Sequence, residues 1–558
     1  MKLTGHKVLA LTLLVAGHVV LPSLGGAVPS AHALEAGWSA YQSVAPARLA
    51  DTRASEGAFG YTVVSDHVVR VQVAGRFGVP ANATAAVLNL TGVNTTAPGY
   101  VTVYPAGTGL PTASNVNFDR AGQVMANMVT VKLGSGGAVD VYMQEQMDVV
   151  VDVSGAYAPV SGAVNTGRLF TLPNGAFRAL DTRKRGFGVG PGTVEQVNVG
   201  AAGVPADAVA VVVNLTATET GLGFWTAFPL GQNVPNASNL NIDTPGQTRA
   251  GQAIVLLSGV PSFNVFSQGG GHLVVDVAGY FTGLKGALST DGLFLPVNPT
   301  RLLDSRGLTV MPTWGGSTLE FPVFGPVGQV SAAAINITGT QSMIGGFVTA
   351  FPSGVSRPEA SNLNLDTWDQ TVANHAIVRS STRGISLYTL QGLHMIADLN
   401  GWYLGAPTPA VLPPPINPSY ASSVAQSVHT PSIGMAVPVG TGTDLDAIAN
   451  LGIAATWNGA AQLATPGNIV LFGHRTSHGA PFLNIDSVPL GGIINLVGDD
   501  GHVYTYMVVR HDVTAPNYNT INNIGLRSGT ATVQLVACTP PHSVRFRWVT
   551  TARLISVN

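Results

Sequence analysis

Short apolar runs divided by Gly, Pro and Asn fill the first three quarters of the chain. Ala85–Leu90, Tyr100–Tyr104, Val129–Leu133, Val139–Tyr142 and Val149–Val153 each have the length, alternation and β-branched content of a strand. No stretch there combines a helical apolar period with caps. The pattern then repeats. Arg48-Leu49-Ala50-Asp51-Thr52-Arg53 returns as Arg178-Ala179-Leu180-Asp181-Thr182-Arg183 and again as Arg301-Leu302-Leu303-Asp304-Ser305-Arg306. Asn89-Leu90-Thr91 matches Asn214-Leu215-Thr216 and Asn336-Ile337-Thr338, and the units close on Asp152-Val153, Asp276-Val277 and Asp398-Leu399. A period of about 125 residues is far longer than a solenoid repeat, so each unit is predicted to be a small β-sandwich or barrel of its own. The boundaries fall near 34–160, 161–283 and 284–404.

Composition narrows the possible functions. Only 10% of the 558 residues are charged and the net charge is -2, which leaves no basic surface for a nucleic-acid backbone. Gly 67 and Pro 36 make the chain too turn-rich for a helical bundle. Where charge is this scarce, a recurring Arg–Asp pair is expected to form a buried hydrogen-bonded network within each unit rather than a ligand site. The Asn-x-Thr triplets read as glycosylation sequons but lie inside predicted strands, so a structural role is expected. The N-terminus carries Lys2 and Lys7, an apolar run from Val8 to Leu21, then Pro22 and Ala31-His32-Ala33. That order is a cleavable secretory signal over 1–33, and the protein is expected to be exported to the cell surface, the wall or the medium.

Beyond Tyr403, Pro407, Pro409 and Pro413-Pro414-Pro415 mark a semi-rigid linker over 405–418. The remaining 419–558 segment lacks the repeat landmarks and holds the lone cysteine, Cys538. An exported chain with one cysteine has no internal disulfide, so Cys538 is an inert buried thiol, an intermolecular bridge or a nucleophile. Three strands frame it. One runs from Pro466 to Phe472 and exits at His474. A second, Thr530–Cys538, puts Thr532, Gln534, Val536 and Cys538 on one face. The third runs from Arg545 to Ile555 with Arg545, Arg547 and Val549 together. Arg545 and Arg547 are one pleat repeat apart, about 7 Å, so periodicity alone does not choose between them.

Pro466-Gly467-Asn468, the block from Gly473-His474-Arg475-Thr476 to Ala480-Pro481-Phe482, Leu535-Val536-Ala537-Cys538-Thr539-Pro540 and the arginine strand together resemble the sortases. These are cysteine transpeptidases of Gram-positive cell surfaces, and the histidine block is most similar to class E, then classes D and F. The resemblance implies a sortase-type β-barrel after the three sandwich-like units, with Cys538 as nucleophile, His474 as general acid/base and Arg547 as substrate-positioning or oxyanion-stabilising cation. Arg545, Ala537, Thr539 and Thr476 are the implied substrate-binding neighbours. It also implies cleavage of a Thr–Gly bond in a Leu-Ala-x-Thr-Gly or Leu-Pro-x-Thr-Gly sorting signal of a surface protein or pilin. Transfer of the acyl group to a peptidoglycan-precursor or lysine amine follows, without a cofactor. Sortases usually carry Thr before the cysteine, where this chain has Ala537. A zinc site from His474, His478, Cys538 and His542 matches no standard spacing. The alternative is a surface adhesin or wall-binding protein with a degenerate sortase domain. The repeats resemble those of exported actinobacterial proteins, which implies no specific ligand and leaves a cell-surface glycan or a protein open.

Overall fold

The computed structural model describes residues 37–558, apart from 174, 308–311, 314, 324, 326–328, 411–422, 459, 490, 518–520 and 522–530. The predicted leader and most of the proline linker lie outside the described residues. The chain is almost entirely β, as the sequence pattern predicts. In each of the three units an inner sheet faces an outer one. In the first unit Ser39–Asp51, Asp148–Pro159, Ala85–Val93 and Met125–Lys132 form the inner sheet, and Val68–Gln72, Ala138–Met143 and Gly99–Pro105 the middle of the outer sheet.

The inner strands are apolar on both faces, and the alternation shows why. Ala86, Leu88 and Leu90 point into the sandwich core of the first unit, while Ala85 and Val87 point the other way. Val211, Val213 and Leu215 alternate in the same manner with Ala210 and Val212, as do Ala333, Ile335 and Ile337 with Ala332 and Ala334. The second set of faces meets in one shared core that also buries Tyr41, Tyr157, Phe281, Phe294 and Tyr403. Period-two burial on both sides is what a sheet between two apolar layers requires. The three sandwiches therefore close around a common axis.

The Arg–Asp box holds each unit together and also joins it to the next. Arg48 Nε donates to Asp152 (2.7 Å) and Nη1 to Asp51 (3.1 Å), as expected for an internal network. Its Nη2 then donates to the Asn236 carbonyl of the second unit (2.7 Å). Arg178 reaches Glu359 O and Arg301 reaches Thr112 O in the same way. The Asn-x-Thr asparagines run in parallel: Asn89 donates to Ser238 O (2.7 Å), Asn214 to Ser361 O (2.7 Å) and Asn336 to Ser114 O (2.8 Å). First to second, second to third, third to first, hydrogen bonds close the ring.

One buried histidine is expected to make this ring sensitive to acid. Met128, Gln252 and His375 occupy equivalent positions opposite Asn89, Asn214 and Asn336. His375 Nδ1 donates to Gln252 Oε1 (3.0 Å), and its backbone N–H donates to Asn127 Oδ1 (3.0 Å). Complete burial lowers its pKa to about 3. A free histidine titrates near 6.5, so below that pH only the unfolded chain gains the proton, and stability falls until the folded pKa is reached. Between pH 7.5 and 4.5 this group alone is expected to cost about 2–3 kcal/mol. His375→Gln, the residue the second unit already uses, should remove that part of the pH dependence in urea unfolding.

The C-terminal segment forms a closed eight-stranded barrel. Its strands are β1 (Ala425–Thr430), β2 (Met435–Gly442), β3 (Ala454–Trp457), β4 (Gly467–Phe472), β5 (Ile493–Gly498), β6 (Val503–Thr514), β7 (Ala531–Thr539) and β8 (Phe546–Val557). They close in the order β1-β2-β3-β4-β7-β8-β6-β5. A five-residue helix, α1 (Leu445–Ala449), joins β2 to β3 and is capped by Asp444, which accepts from Ala447 N (2.9 Å). Inside, Val428, Leu471, Ile494, Leu496, Tyr506, Val533 and Leu535 are buried together.

Candidate active site

Strand register brings the histidine, the cysteine and one arginine to the same end of the barrel. β4 and β7 pair in parallel, with Phe472 opposite Val536. Two residues further along each chain stand His474 and Cys538, so the parallel ladder delivers both at one level. On the other side of β7, antiparallel β8 places Arg547 directly opposite Cys538. Directly opposed residues have Cβ atoms about 4.5–5.5 Å apart, so the guanidinium is within reach of the thiol's surroundings. All three residues line one cleft of about 590 Å³, with Thr443–Asp446, Ala449 and Trp457 on the α1 side and Pro516 and Ile521 on the other.

The faces of β7 separate scaffold from chemistry. Ala531, Val533, Leu535 and Ala537 fill the barrel interior. Val536 points outward and packs with Val470, Ile521, Val549 and Phe472 as an apolar floor. Cys538, half-buried, follows on that outward face. Ala537 borders the cleft, but only 2% of it is exposed and its side chain belongs to the barrel core. The missing threonine hydroxyl is thus absent from the interior side of the strand.

His474 is held from two directions. Its Nε2 lies 2.9 Å from Asn450 Oδ1, at the end of α1. A carboxamide oxygen only accepts, so Nε2 carries the proton and Nδ1 the lone pair. The His478 ring is 4.7 Å away, centroid to centroid. Partial burial lowers the His474 pKa, the neighbouring His478 lowers it further, and Asp446 opposes the shift. The imidazole is therefore uncharged at neutral pH. Gly473 is required beside it: a Cβ there would meet the fully buried Phe482 ring at 2.6 Å. Phe482 N closes the loop by donating to His474 O (3.0 Å).

The neighbouring positions are placed less uniformly. Arg545 is exposed before β8 begins, its guanidinium 5.1 Å from the Phe546 ring centroid. Arg545, Thr476 and Thr539 are outside the cleft lining. Thr539 Oγ1 instead accepts from Arg475 Nη1 (3.2 Å). Arg475 is the residue that sequence reasoning missed. It is 4% exposed, donates through Nε to Leu483 O (3.1 Å) and pairs with Asp486. It thus ties the histidine loop to the end of the cysteine strand. Arg475→Ala strands three acceptors and is expected to cost about 2 kcal/mol in denaturant unfolding. Lysine cannot reach all three from one ammonium, so Arg475→Lys should recover little of the loss. Among the described residues no group of three or more His, Cys, Asp or Glu is placed to hold a metal ion.

The closed barrel thus presents a strand-end cysteine, a histidine just past its parallel neighbour and an arginine across the ladder to one cleft. Residues 428–555 match the family model for a sortase domain. A curated relative, Sortase SrtE2 of Streptomyces coelicolor, is 29% identical over 139 residues, 23% of this chain and 54% of the relative. The chain thus spans about half the length of that relative. Among solved structures, Sortase E1 from Streptomyces coelicolor with a tripeptide in its active site is 22% identical over 25% of this chain and 90% of its own, with a TM-score of 0.22. The SrtA sortase from Actinomyces oris is 20% identical over 26% of this chain and 88% of its own, also with a TM-score of 0.22.

Proposed function

We propose that the C-terminal domain is a sortase-type cysteine transpeptidase of the exported cell surface. The observation that carries this reading is the register that delivers His474, Cys538 and Arg547 to one cleft. The uncharged His474 takes the thiol proton, and the Cys538 thiolate attacks the carbonyl carbon of a Thr–Gly bond. Arg547, which cannot lose its charge, holds the developing oxyanion or the adjacent peptide carbonyl. Collapse breaks the C–N bond, His474 returns the proton to the leaving glycine amine, and a thioacyl-enzyme remains. An amine on a peptidoglycan precursor or a lysine then attacks the thioester and restores the thiol. The likeness to a relative named Sortase SrtE2 supports a class E preference, Leu-Ala-x-Thr-Gly over Leu-Pro-x-Thr-Gly.

The test is the full chain incubated with a Leu-Ala-x-Thr-Gly peptide and an excess of a simple amine, followed by mass spectrometry. A mass increase on the peptide containing Cys538, together with the amine-transfer product, is the expected result. A freely alkylated Cys538 that forms no adduct with either sorting motif would overturn this reading in favour of a non-enzymatic surface protein.

A further inference from the structure

Two clefts at the junctions between the repeats have the same construction. The first, about 270 Å³, lies between the first and second units; Arg53 and Thr91 form one wall, Phe224 and Asn241 the other. The second, about 340 Å³, lies between the third and first units, with Arg306 and Thr338 facing Tyr100 and Asn117. Each residue of one cleft occupies the repeat position of its counterpart in the other. The third junction carries the same residue types at Arg183, Thr216, Phe347 and Asn364.

Their hydrogen-bonding capacity is only partly used. Arg53 commits Nε and Nη2 to Asp51 (2.9 and 2.6 Å), and Arg306 commits the same atoms to Asp304 (2.9 and 2.7 Å). Arg306 Nη1 has no hydrogen-bond acceptor among the described residues, and Arg53 Nη1 has only the exposed Glu56 carboxylate at 3.9 Å. Asn241 Oδ1 accepts from Ser238 (3.0 Å) and Asn117 Oδ1 from Ser114 (3.2 Å), which leaves each Nδ2 to donate into its cleft. Thr91 and Thr338 accept from Asn89 and Asn336 (3.4 and 3.3 Å) and keep their own protons. Half-buried Phe224 and Tyr100 add an aromatic surface, each braced by a second ring 5.7 or 5.8 Å away.

Charge decides between ligand classes. Arg48 and Arg53 are balanced by Asp51 and Asp152, and Arg301 and Arg306 by Asp304 and Asp398, so neither cleft has net positive charge to attract an anion. Paired guanidinium edges, hydroxyls and carboxamides beside an aromatic ring suit a ligand rich in hydroxyls with one apolar face. The volumes are near the lower end of small-ligand pockets, about 300–1,000 Å³, the size of one or two sugar rings. We propose that the inter-repeat clefts are binding sites for a neutral saccharide, repeated around the ring so that one polysaccharide engages several at once. Linked sites gain avidity that a single shallow cleft lacks. This inference is independent of the reaction at Cys538.

The test is isothermal titration of the full chain with neutral hexasaccharides (N-acetylglucosamine hexamer, cellohexaose and maltohexaose), with polygalacturonate as the anionic arm. Saturable binding of at least one neutral hexamer is expected. Phe224→Ala with Asn241→Ala, and separately Tyr100→Ala with Asn117→Ala, should each remove one site from the stoichiometry. Asn241→Asp and Asn117→Asp keep the side-chain shape and delete the donor, so a tenfold or greater weakening is expected without a change in melting temperature. No binding of any neutral hexamer, binding of polygalacturonate alone, or neutral binding unchanged in both double variants and both Asp variants would overturn the proposal.

Discussion

Cys538→Ala is expected to reduce transfer of a Thr–Gly acyl group by about four orders of magnitude or more, to the level of the uncatalysed reaction. The reason is covalent: without Sγ no thioester forms, and neither the neighbouring guanidinium nor the imidazole can replace it as acyl carrier. The barrel should not notice the change. Cys538 points to the cleft rather than into the barrel core. Losing one sulfur from a partly solvated site costs within about 1 kcal/mol. Cys538→Ser is expected to be as inactive as Ala, because a serine hydroxyl lacks the thiol's acidity. The chain has one cysteine, so labelling reports on this position alone. Wild type should take one alkyl group, lose that reactivity when acylated by peptide, and regain it on adding amine. Residual transfer by Cys538→Ala at more than about a hundredth of the wild-type rate would require another nucleophile and would end the assignment.

How much of this could be read along the chain depends on whether a signal lies within one segment or between several. The alternation on β7 was legible because period-two patterning is local; it puts Val533 and Leu535 on one face and Cys538 on the other, and the structure turns the first of these faces into the barrel. The all-β character of the repeats was legible from their strand runs, although these left sandwich and barrel open. The shared core was not, since Ala85, Val87, Ala210 and Val212 look like ordinary members of apolar strands until three sheets are brought together. The Arg–Asp box was legible as a network, yet its contacts from Arg48 to Asn236 and from Arg301 to Thr112 connect units more than a hundred residues apart. Asn450 follows a helix too short for any period to register, so its bond to His474 had no forerunner in the sequence. Arg475 was hidden for a similar reason. Its acceptors, Leu483 and Asp486 in one loop and Thr539 on a distant strand, are irregular partners that no spacing rule pairs with it.

Arg547 and Arg545 give the case in which register decides what alternation left open. Arg547→Ala is expected to lower kcat/KM by about 10²–10³-fold, the loss typical when one donor to a developing oxyanion is removed. Arg545→Ala should change it by less than about threefold. The difference follows from where β8 begins. The ladder starts at Thr539 opposite Phe546, so Arg545 remains outside it, and Arg547 is the first arginine opposed to the β7 thiol. Arg547 Nη1 donates back to Val544 O (2.9 Å) and Phe546 O (3.2 Å), which fixes the plane of the guanidinium and leaves its other N–H groups for substrate. Lysine keeps the charge but not the planar fork, so Arg547→Lys is expected to recover less than about a tenth of the lost activity. Both side chains are partly or fully solvated and neither anchors the core, so all three variants should unfold at the wild-type denaturant midpoint. The discriminating readout is the split between binding and turnover. Loss confined to kcat, with KM unchanged, assigns Arg547 to the transition state, whereas loss confined to KM assigns it to holding the sorting peptide. A larger defect in Arg545→Ala than in Arg547→Ala would reverse the assignment and mean that the loop before β8 moves over the cleft when peptide binds.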